Sequence, residues 1–241
     1  MQETVQGIVL NTIRYSDRHN IVHVYTDRHG LMAFAVPQGA TRSARQRAAM
    51  LMPLSLIECV VSTRPARELA SLRDLRRTYP LMSIYSDPVK NAIALFVSEV
   101  LTHVIQEQES NPPLYRYIEQ AVMLLEQLSD SVANFHICFL YHLGAFLGIE
   151  PDVGSYRSGY WFDMNDGVFR PGPVPGHRHL RPEQARVIAL LARITFSNMG
   201  HFRFSRQQRD QVLDTTLTYF QLHNSSLGTL RSPQVLKQLF V

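Results

Sequence analysis

The chain has 241 residues, of which 45% are hydrophobic and 18% charged, and its formal net charge is +4 at neutral pH. This composition excludes wholesale disorder and provides enough apolar residues for one large or two small domains. The two cysteines, Cys59 and Cys138, lie far apart in apolar runs. That excludes a disulfide framework and a Cys-x-x-Cys metal or redox site, and it favours a reducing compartment.

Charge is distributed unevenly along the chain. Residues 1–80 hold 11 arginines against 6 acidic residues, residues 81–150 hold 2 basic against 8 acidic residues, and residues 151–241 hold 11 basic against 6 acidic residues. Two basic regions therefore flank an acidic one, which favours a polyanionic partner. No signal segment opens the chain, and the longest apolar run, 135–149, is too short to span a bilayer, so we expect a cytoplasmic protein with no membrane partner.

The first 80 residues read as five short strands joined by turns. The segments rich in apolar and β-branched residues are 4–13, 21–26, 31–36, 54–61 and 69–75. Both faces of the first strand are apolar, Val5 and Val9 on one and Ile8 and Leu10 on the other, which a one-sided sheet does not need. The pattern predicts a small barrel of OB-fold size that is covered on its outside by another element.

After residue 80 the apolar period becomes helical. Helices are predicted from Asp87-Pro88, after Asn111-Pro112-Pro113, over 131–147, and over 182–198, 205–224 and 232–240. Between them, 150–181 is rich in Gly, Pro and aromatic residues and contains a predicted β-hairpin around Asp166-Gly167. We therefore predict an α+β protein with an OB-fold domain at 1–80 and an α-helical domain at 81–241 that carries a small inserted lobe at about 150–181.

Motifs of the common enzyme classes are absent from the sequence. It contains no phosphate-binding P-loop, dinucleotide fingerprint, His-Glu-x-x-His or Gly-x-Ser-x-Gly motif, so we expect neither catalysis nor a cofactor. His177 and His179 are the tightest histidine pair, but their Pro/Gly-rich loop has no cysteine or carboxylate neighbours. Such a loop is expected to be solvated, and the sequence predicts no metal site.

The basic residues of the first 80 positions point to nucleic acid. Arg42, Arg45 and Arg47 lie in a connection between strands that holds no acidic residue, and small neighbours would let their guanidinium groups reach phosphate oxygens. The predicted DNA-binding residues, spread over the connections of the barrel, are Arg14, Arg18, Arg28, Arg42, Arg45, Arg47, Arg73, Arg76 and Arg77. They would converge on one face, with Tyr15 free to stack on a base. The alternative is that they point outward as ordinary solvated charges.

Three stretches of the chain resemble the RecO family of recombination mediators. The first is GIVLNTIRYSDRHNIVHVYTDRHGLMAFAVPQGATRSARQRAAMLMPLSLIE, the second FHICFLYHLGAFLGIEPDV with its Leu-Gly-x-x-Pro ending, and the third YFQLHNSSLGTLRSPQVLKQL with its Tyr-x-x-x-His pattern. The resemblance implies an N-terminal OB-fold and a helical domain with an inserted lobe. It also implies a nucleoid-associated protein that binds single- and double-stranded DNA and anneals complementary strands. The implied protein partners are RecR, the C-terminal tail of the single-stranded-DNA-binding protein and, indirectly, RecA during its loading.

The sequence departs from the family pattern in two places. Many members have four zinc-binding cysteines in the lobe, whereas 148–181 of this chain has none, so we expect Tyr160, Trp161, Phe162 and Phe169 to replace the metal with apolar packing. The family's usual lysine before the loop glycine is Gln38 here, which removes one expected phosphate contact.

The acidic tail of a single-stranded-DNA-binding protein would need an apolar groove with a cation at its rim. The residues predicted to bind it, chosen by charge, are Arg116, Arg193, Arg203 and Arg206. A second functional class stays open on the sequence alone, namely a helical adaptor that binds other proteins and whose basic loops are incidental. Salt dependence of DNA binding would separate the two.

Overall fold

The first strands form a closed barrel in the computed structural model, which describes residues 2–62 and 70–239. They are β1 (Gln2–Arg14), β2 (His19–Thr26), β3 (Gly30–Pro37), β4 (Leu56–Ser62), and a last strand broken into β5 (Ala70–Ser71) and β6 (Arg73–Arg77). The sheet order is β5-β3-β2-β1-β4-β6. Because β5 pairs parallel to β3 and β6 pairs antiparallel to β4, the last strand joins the two edges and closes the barrel. The predicted five-stranded OB-fold is confirmed; Leu69, its predicted fifth-strand start, lies outside the described residues.

Both faces of β1 are buried, as its sequence predicts. Val5 and Val9 belong to the interior cluster of the barrel. Ile8 and Leu10, on the other face, are fully buried as well. The carbonyl of Leu10 accepts a hydrogen bond from the Ser98 hydroxyl, on a helix that follows the barrel. The outer face of β1 is thus covered by this helix, which explains the apolar residues on both faces of the strand.

The basic connection between β3 and β4 contains a helix, α1 (Arg42–Met50), which the sequence analysis does not predict. Thr41 caps the helix by accepting a hydrogen bond from the Ala44 amide at 3.2 Å. The segment RSARQRAAM consists largely of strong helix formers, and its lack of an apolar stripe hides this from a periodicity argument. Indeed, α1 has no buried residue.

Three helices follow the barrel: α2 (Met82–Ser86), α3 (Pro88–Val104) and α4 (Pro112–Gln127). Asp87 and Asn111 cap the last two, as predicted. The sequence does not predict α2, because its first turn is capped from a distance: the Glu126 carboxylate accepts hydrogen bonds from the amides of Ser83 and Ile84 at 2.7 and 2.8 Å. The barrel and these helices make one compact unit, Met1–Leu128.

The second compact unit is Ser129–Val241. Its helices are α5 (Phe135–Phe146), α6 (Pro182–Leu191), α7 (Arg206–His223) and α8 (Ser232–Leu239), and its lobe is a small sheet of β7 (Trp161–Asp163), β8 (Val168–Arg170) and β9 (His179–Leu180). Helix α5 is buried on all sides over its first two turns, Phe135–Tyr141, as its apolar sequence predicts, while α6 is shorter than predicted. Phe240, the predicted end of the last helix, lies outside the described residues.

The domain boundary predicted at residue 80 separates the strands from the helices, whereas the two compact units are defined by packing. The boundary therefore stays a prediction. Among the described residues, no helix combines the length and the hydropathy needed to cross a bilayer.

Candidate nucleic-acid interface

A pocket of about 550 Å³ opens at the end of the barrel where β1 finishes and β2 begins. We call it the mouth pocket. Its lining includes Asn20, Val22 and Val36 from the strands, Gln38 from the start of the connection, and Ala44 and Ala48 from α1. Helix α1 therefore lies beside this end of the barrel, and the pocket is enclosed between the helix and the strands, with the buried side chains of Val22 and Val36 at its base.

Backbone and side-chain hydrogen bonds hold α1 in this place at both of its ends. The backbone N–H of Gln38 donates to the carbonyl of Arg18 at 2.8 Å, which ties the start of the connection to the β1–β2 turn. The Arg77 guanidinium donates from Nη2 to the carbonyl of Ala49 at 2.8 Å, in the last turn of the helix. The structure thus gathers part of the predicted DNA-binding set around α1 and the β1–β2 turn. These residues are Arg14, Arg18, Arg42, Arg45, Arg47 and Arg77.

The arginines of α1 are available to a ligand. Arg42 and Arg45 are exposed and Arg47 is half-buried. None of the three forms an ion pair within residues 2–62 and 70–239. Arg14 contacts Asp17 at 2.8 Å, but their side chains are 73% and 95% exposed, and such a surface pair contributes about 1 kcal/mol or less. A phosphate can replace Asp17 at little cost.

Other members of the predicted set lie elsewhere. Arg28 is in the turn at the opposite end of the barrel, where its Nη1 is 2.5 Å from Glu3 Oε1. Hydrogen bonds from Arg28, and then from His29, lower the pKa of Glu3. The strand register sets Arg73 opposite Val60, toward that same end, and Arg76 opposite Glu58. The expected convergence of all nine arginines on one face is therefore not what the structure shows.

An aromatic side chain stands next to the gathered arginines. Tyr15, in the β1–β2 turn, is 68% exposed, and its neighbour Ile13 is 49% exposed. An exposed ring beside cations is the arrangement in which a base can stack while its phosphate is neutralised. Sequence reasoning identifies Tyr15 but misses the mouth pocket, because the pocket depends on how α1 sits over the strands.

The lobe contains a cluster that sequence reasoning also misses. Asp163, Asp166 and His177 place one potential metal ligand each within 4.8 Å of one another. Arg170, however, approaches both carboxylates, with its Nη2 at 2.6 Å from Asp166 Oδ2 and its Nε at 3.4 Å from Asp163 Oδ2. A fixed guanidinium repels a second cation, so this donor set does not fit the zinc site that the family resemblance implies for other members. The absence of a metal stays a prediction.

Asp163 instead stabilises the lobe by connecting several of its segments. Its carboxylate is 3% exposed and lies 2.9 Å from His177 Nδ1, and it accepts hydrogen bonds from the amides of Asn165 and Asp166 at 3.0 and 3.3 Å. Burial raises the pKa of Asp163, but the hydrogen bonds from His177 and from the two amides outweigh burial and lower it overall. The expectation that His177 is merely solvated is therefore wrong.

Helix α7 fixes the lobe through two residues one turn apart. The Tyr219 ring lies 5.5 Å from the Phe162 ring, and His223 Nε2 is 2.8 Å from the carbonyl of Met164. Gly167, in the hairpin turn, has a φ of +69°, and a Cβ there would come within 2.6 Å of the Tyr219 hydroxyl. The Tyr-x-x-x-His pattern is thus explained by packing: Phe162 and Phe169 are buried beneath these residues, consistent with apolar packing in the lobe.

The residues predicted to bind an acidic tail are divided between the two compact units. Arg116 belongs to the first unit, where its Nε donates to the carbonyl of Pro112 at 3.3 Å. Arg206 donates to the carbonyl of Lys237 at 2.9 Å, while Arg193 and Arg203 are exposed. A groove of about 270 Å³ lies between α6 and α7, with Val187, Ile188, Phe204 and Val212 in its lining. Arg203 precedes Phe204 and is the predicted cation nearest in sequence to this groove.

The whole chain is similar to known DNA repair proteins. Residues 1–80 match the family model described as "Recombination protein O N terminal", and residues 85–229 match "Recombination protein O C terminal". Relatives named "DNA repair protein RecO" include one from Phocaeicola vulgatus, 36% identical over 100% of this chain and 99% of the relative. Others are from Bacteroides fragilis, 35% identical over 100% and 99%, and from Porphyromonas gingivalis, 33% identical over 98% of both chains.

Proposed function

The chain belongs to the RecO family and has a role in DNA repair and recombination, and from this premise we propose that it is a non-catalytic recombination mediator. It binds single- and double-stranded DNA, anneals complementary strands, and helps to load RecA onto DNA that is coated by the single-stranded-DNA-binding protein. RecR and the acidic tail of that protein are its proposed partners, and the nucleoid is its proposed location.

One observation carries the DNA-binding part of this proposal. The exposed arginines of α1 have no acidic partner among the described residues, and they lie beside Arg14, Arg18 and Tyr15 at the mouth of an OB-fold barrel. Cations that are not used for folding can neutralise phosphates without first breaking a protein contact. The OB-fold is also an architecture whose strands and connecting loops bind oligonucleotides.

The same arrangement supports annealing. Phosphate contacts carry no sequence information, so a surface of arginines can hold either strand of any sequence. Neutralising the phosphates of two strands also lowers the repulsion between them as they meet. Bound strands must keep their base edges accessible to pair, and a surface that contacts mainly the backbone leaves those edges free.

A salt titration tests the proposal. Binding of a labelled single strand and a labelled duplex is measured by fluorescence anisotropy at several salt concentrations. With about five phosphates contacted, the logarithm of the affinity should fall with the logarithm of salt with a slope of roughly −3 to −5, because each contact releases condensed counterions. An adaptor with incidental basic loops has no such dependence, so absent or salt-insensitive binding would reject the mediator function.

A further inference from the structure

The mouth pocket has an apolar interior and a polar rim. Val22 and Val36, from the barrel core, line its interior together with Leu51, and the amides of Asn20 and Gln38 lie at its entrance. Its volume of about 550 Å³ lies in the range of small-ligand sites, which often occupy the mouths of β-barrels. Helix α1 forms one wall without burying any of its own residues, so the space is not filled by the protein itself.

The two amides present an unused donor beside an unused acceptor. Gln38 donates from Nε2 to Asn20 Oδ1, which fixes the two side chains against each other. Within the described parts of the chain, Asn20 Nδ2 and Gln38 Oε1 take part in no hydrogen bond. An adjacent donor and acceptor above apolar walls complement a planar ring with hydrogen-bonding groups along its edge, which is the chemistry of a nucleobase.

We propose that the mouth pocket receives one unstacked base of a single DNA strand whose phosphates lie on Arg14 and the arginines of α1. The inference rests on the proposed DNA binding and deepens it, since it assigns the pocket a part of the ligand that the arginines do not touch. A phosphate fits the pocket poorly, because the cations are at its rim and its interior is apolar. A duplex offers no base to the pocket, because its bases are stacked and their edges are paired. The pocket therefore adds affinity for single strands only.

The experiment compares three DNA ligands and two substitutions on α1. The ligands are an oligothymidylate, an abasic strand of the same length, and a duplex. Ala48→Phe fills the pocket from its helical wall, whereas Ala49→Phe adds the same ring at the next position, which does not line the pocket. Both positions are exposed, so neither change disturbs the core.

The parent should bind the oligothymidylate about tenfold more tightly than the abasic strand, the effect expected of one recognised base. Ala48→Phe should remove most of this difference and leave duplex affinity within about twofold of the parent, while Ala49→Phe should behave as the parent does. Gln38→Leu, which keeps the size of the side chain and removes its amide, should reduce the same difference and serves if Ala48→Phe does not fold.

Equal binding of the two single strands by the parent would overturn the pocket proposal, and so would an Ala48→Phe protein that loses duplex and single-strand binding equally. These results are distinct from failure of the proposed function. If the proposed function fails, the parent will bind no DNA, or will bind it without salt dependence, and both proposals are then rejected.

Discussion

Arginines are put to opposite uses in the barrel and in the lobe. On α1, Arg42 and Arg45 point into solvent with no acidic partner among the described residues. In the lobe, Arg170 lies against Asp163 and Asp166, and the Asp163 carboxylate is buried. A charge that is already paired inside the protein is part of the fold, while an exposed and unpaired one is available to a partner. Net charge alone does not distinguish the two regions; the placement of acidic side chains does.

The largest effect is expected on α1. Changing Arg42, Arg45 and Arg47 to Ala should weaken binding to single strands and duplex alike by about a hundredfold at moderate salt, and should reduce the salt slope by about two to three. The same three positions changed to Lys keep the charge and should keep the slope. Anisotropy titrations at several salt concentrations measure both quantities. A folded triple Ala variant with the parent's affinity would show that α1 does not contact DNA.

In the lobe, removing one member of a charge pair should affect folding and leave DNA binding unchanged. Asp163→Asn removes the charge that pairs with His177 and Arg170, and it should lower the free energy of unfolding by about 2–3 kcal/mol. Asp166→Asn, at an exposed carboxylate, should cost about 1 kcal/mol or less. Urea unfolding measures the two variants. Equal losses would mean that burial of Asp163 does not set its importance.

The comparison extends to the residues predicted to bind an acidic tail. Arg203 is exposed, whereas Arg206 already donates to the carbonyl of Lys237. If the tail binds in the groove between α6 and α7, Arg203→Ala should weaken it by about 2 kcal/mol, and Arg206→Ala should do less. A labelled tail peptide and fluorescence anisotropy test these variants with Arg116→Ala and Arg193→Ala. If all four variants bind the peptide as the parent does, the tail binds at another place on the protein.

A smaller effect is expected from pH. The pKa of Asp163 is lowered in the folded protein, so this carboxylate stabilises the fold above the pKa of an unfolded aspartate, about 4. The contribution is lost as the pH falls through the lowered folded pKa. Arg170, Asp166 and the titratable ring of His177 face this carboxylate. The parent should therefore lose more unfolding free energy than Asp163→Asn when urea titrations are taken from neutral pH into this acidic range; parallel losses would contradict the assignment.

No effect at all is expected from metal removal. The purified protein should contain no stoichiometric zinc, and a chelator should leave its thermal midpoint unchanged, because the Arg170 guanidinium already pairs with both carboxylates that a cation would need. Elemental analysis and a melting curve measure these two properties. About one equivalent of zinc would show that Asp163, Asp166 and His177 bind metal despite the arginine.

The sequence predicts the parts of this fold that depend on local pattern. Apolar residues on both faces, Val5 and Val9 on one and Ile8 and Leu10 on the other, are enough to predict a strand buried on both sides. Asp87 before Pro88 likewise marks a helix start. Helix α1 is missed because it has no apolar stripe to detect.

The site is predicted less completely, because it depends on contacts between distant residues. The arginine-rich character of the surface is visible in the sequence. Only the structure shows that Arg77 reaches the carbonyl of Ala49, or that Arg28 is paired with Glu3. Likewise, Asp163 and His177 are 14 residues apart, and nothing in their spacing indicates that they touch.

The way the barrel closes has a consequence for its synthesis. Residues leave the ribosome in order, and β1 to β4 can pair among themselves before the last strand exists. The free edges of β3 and β4 must then wait for Ala70–Ser71 and Arg73–Arg77. Until that segment emerges, the nascent chain displays two unprotected edges, which can recruit strands of neighbouring chains. Premature termination within the connection before Ala70 would leave both edges open permanently, so a short fragment of this protein is an aggregation hazard rather than a small stable barrel.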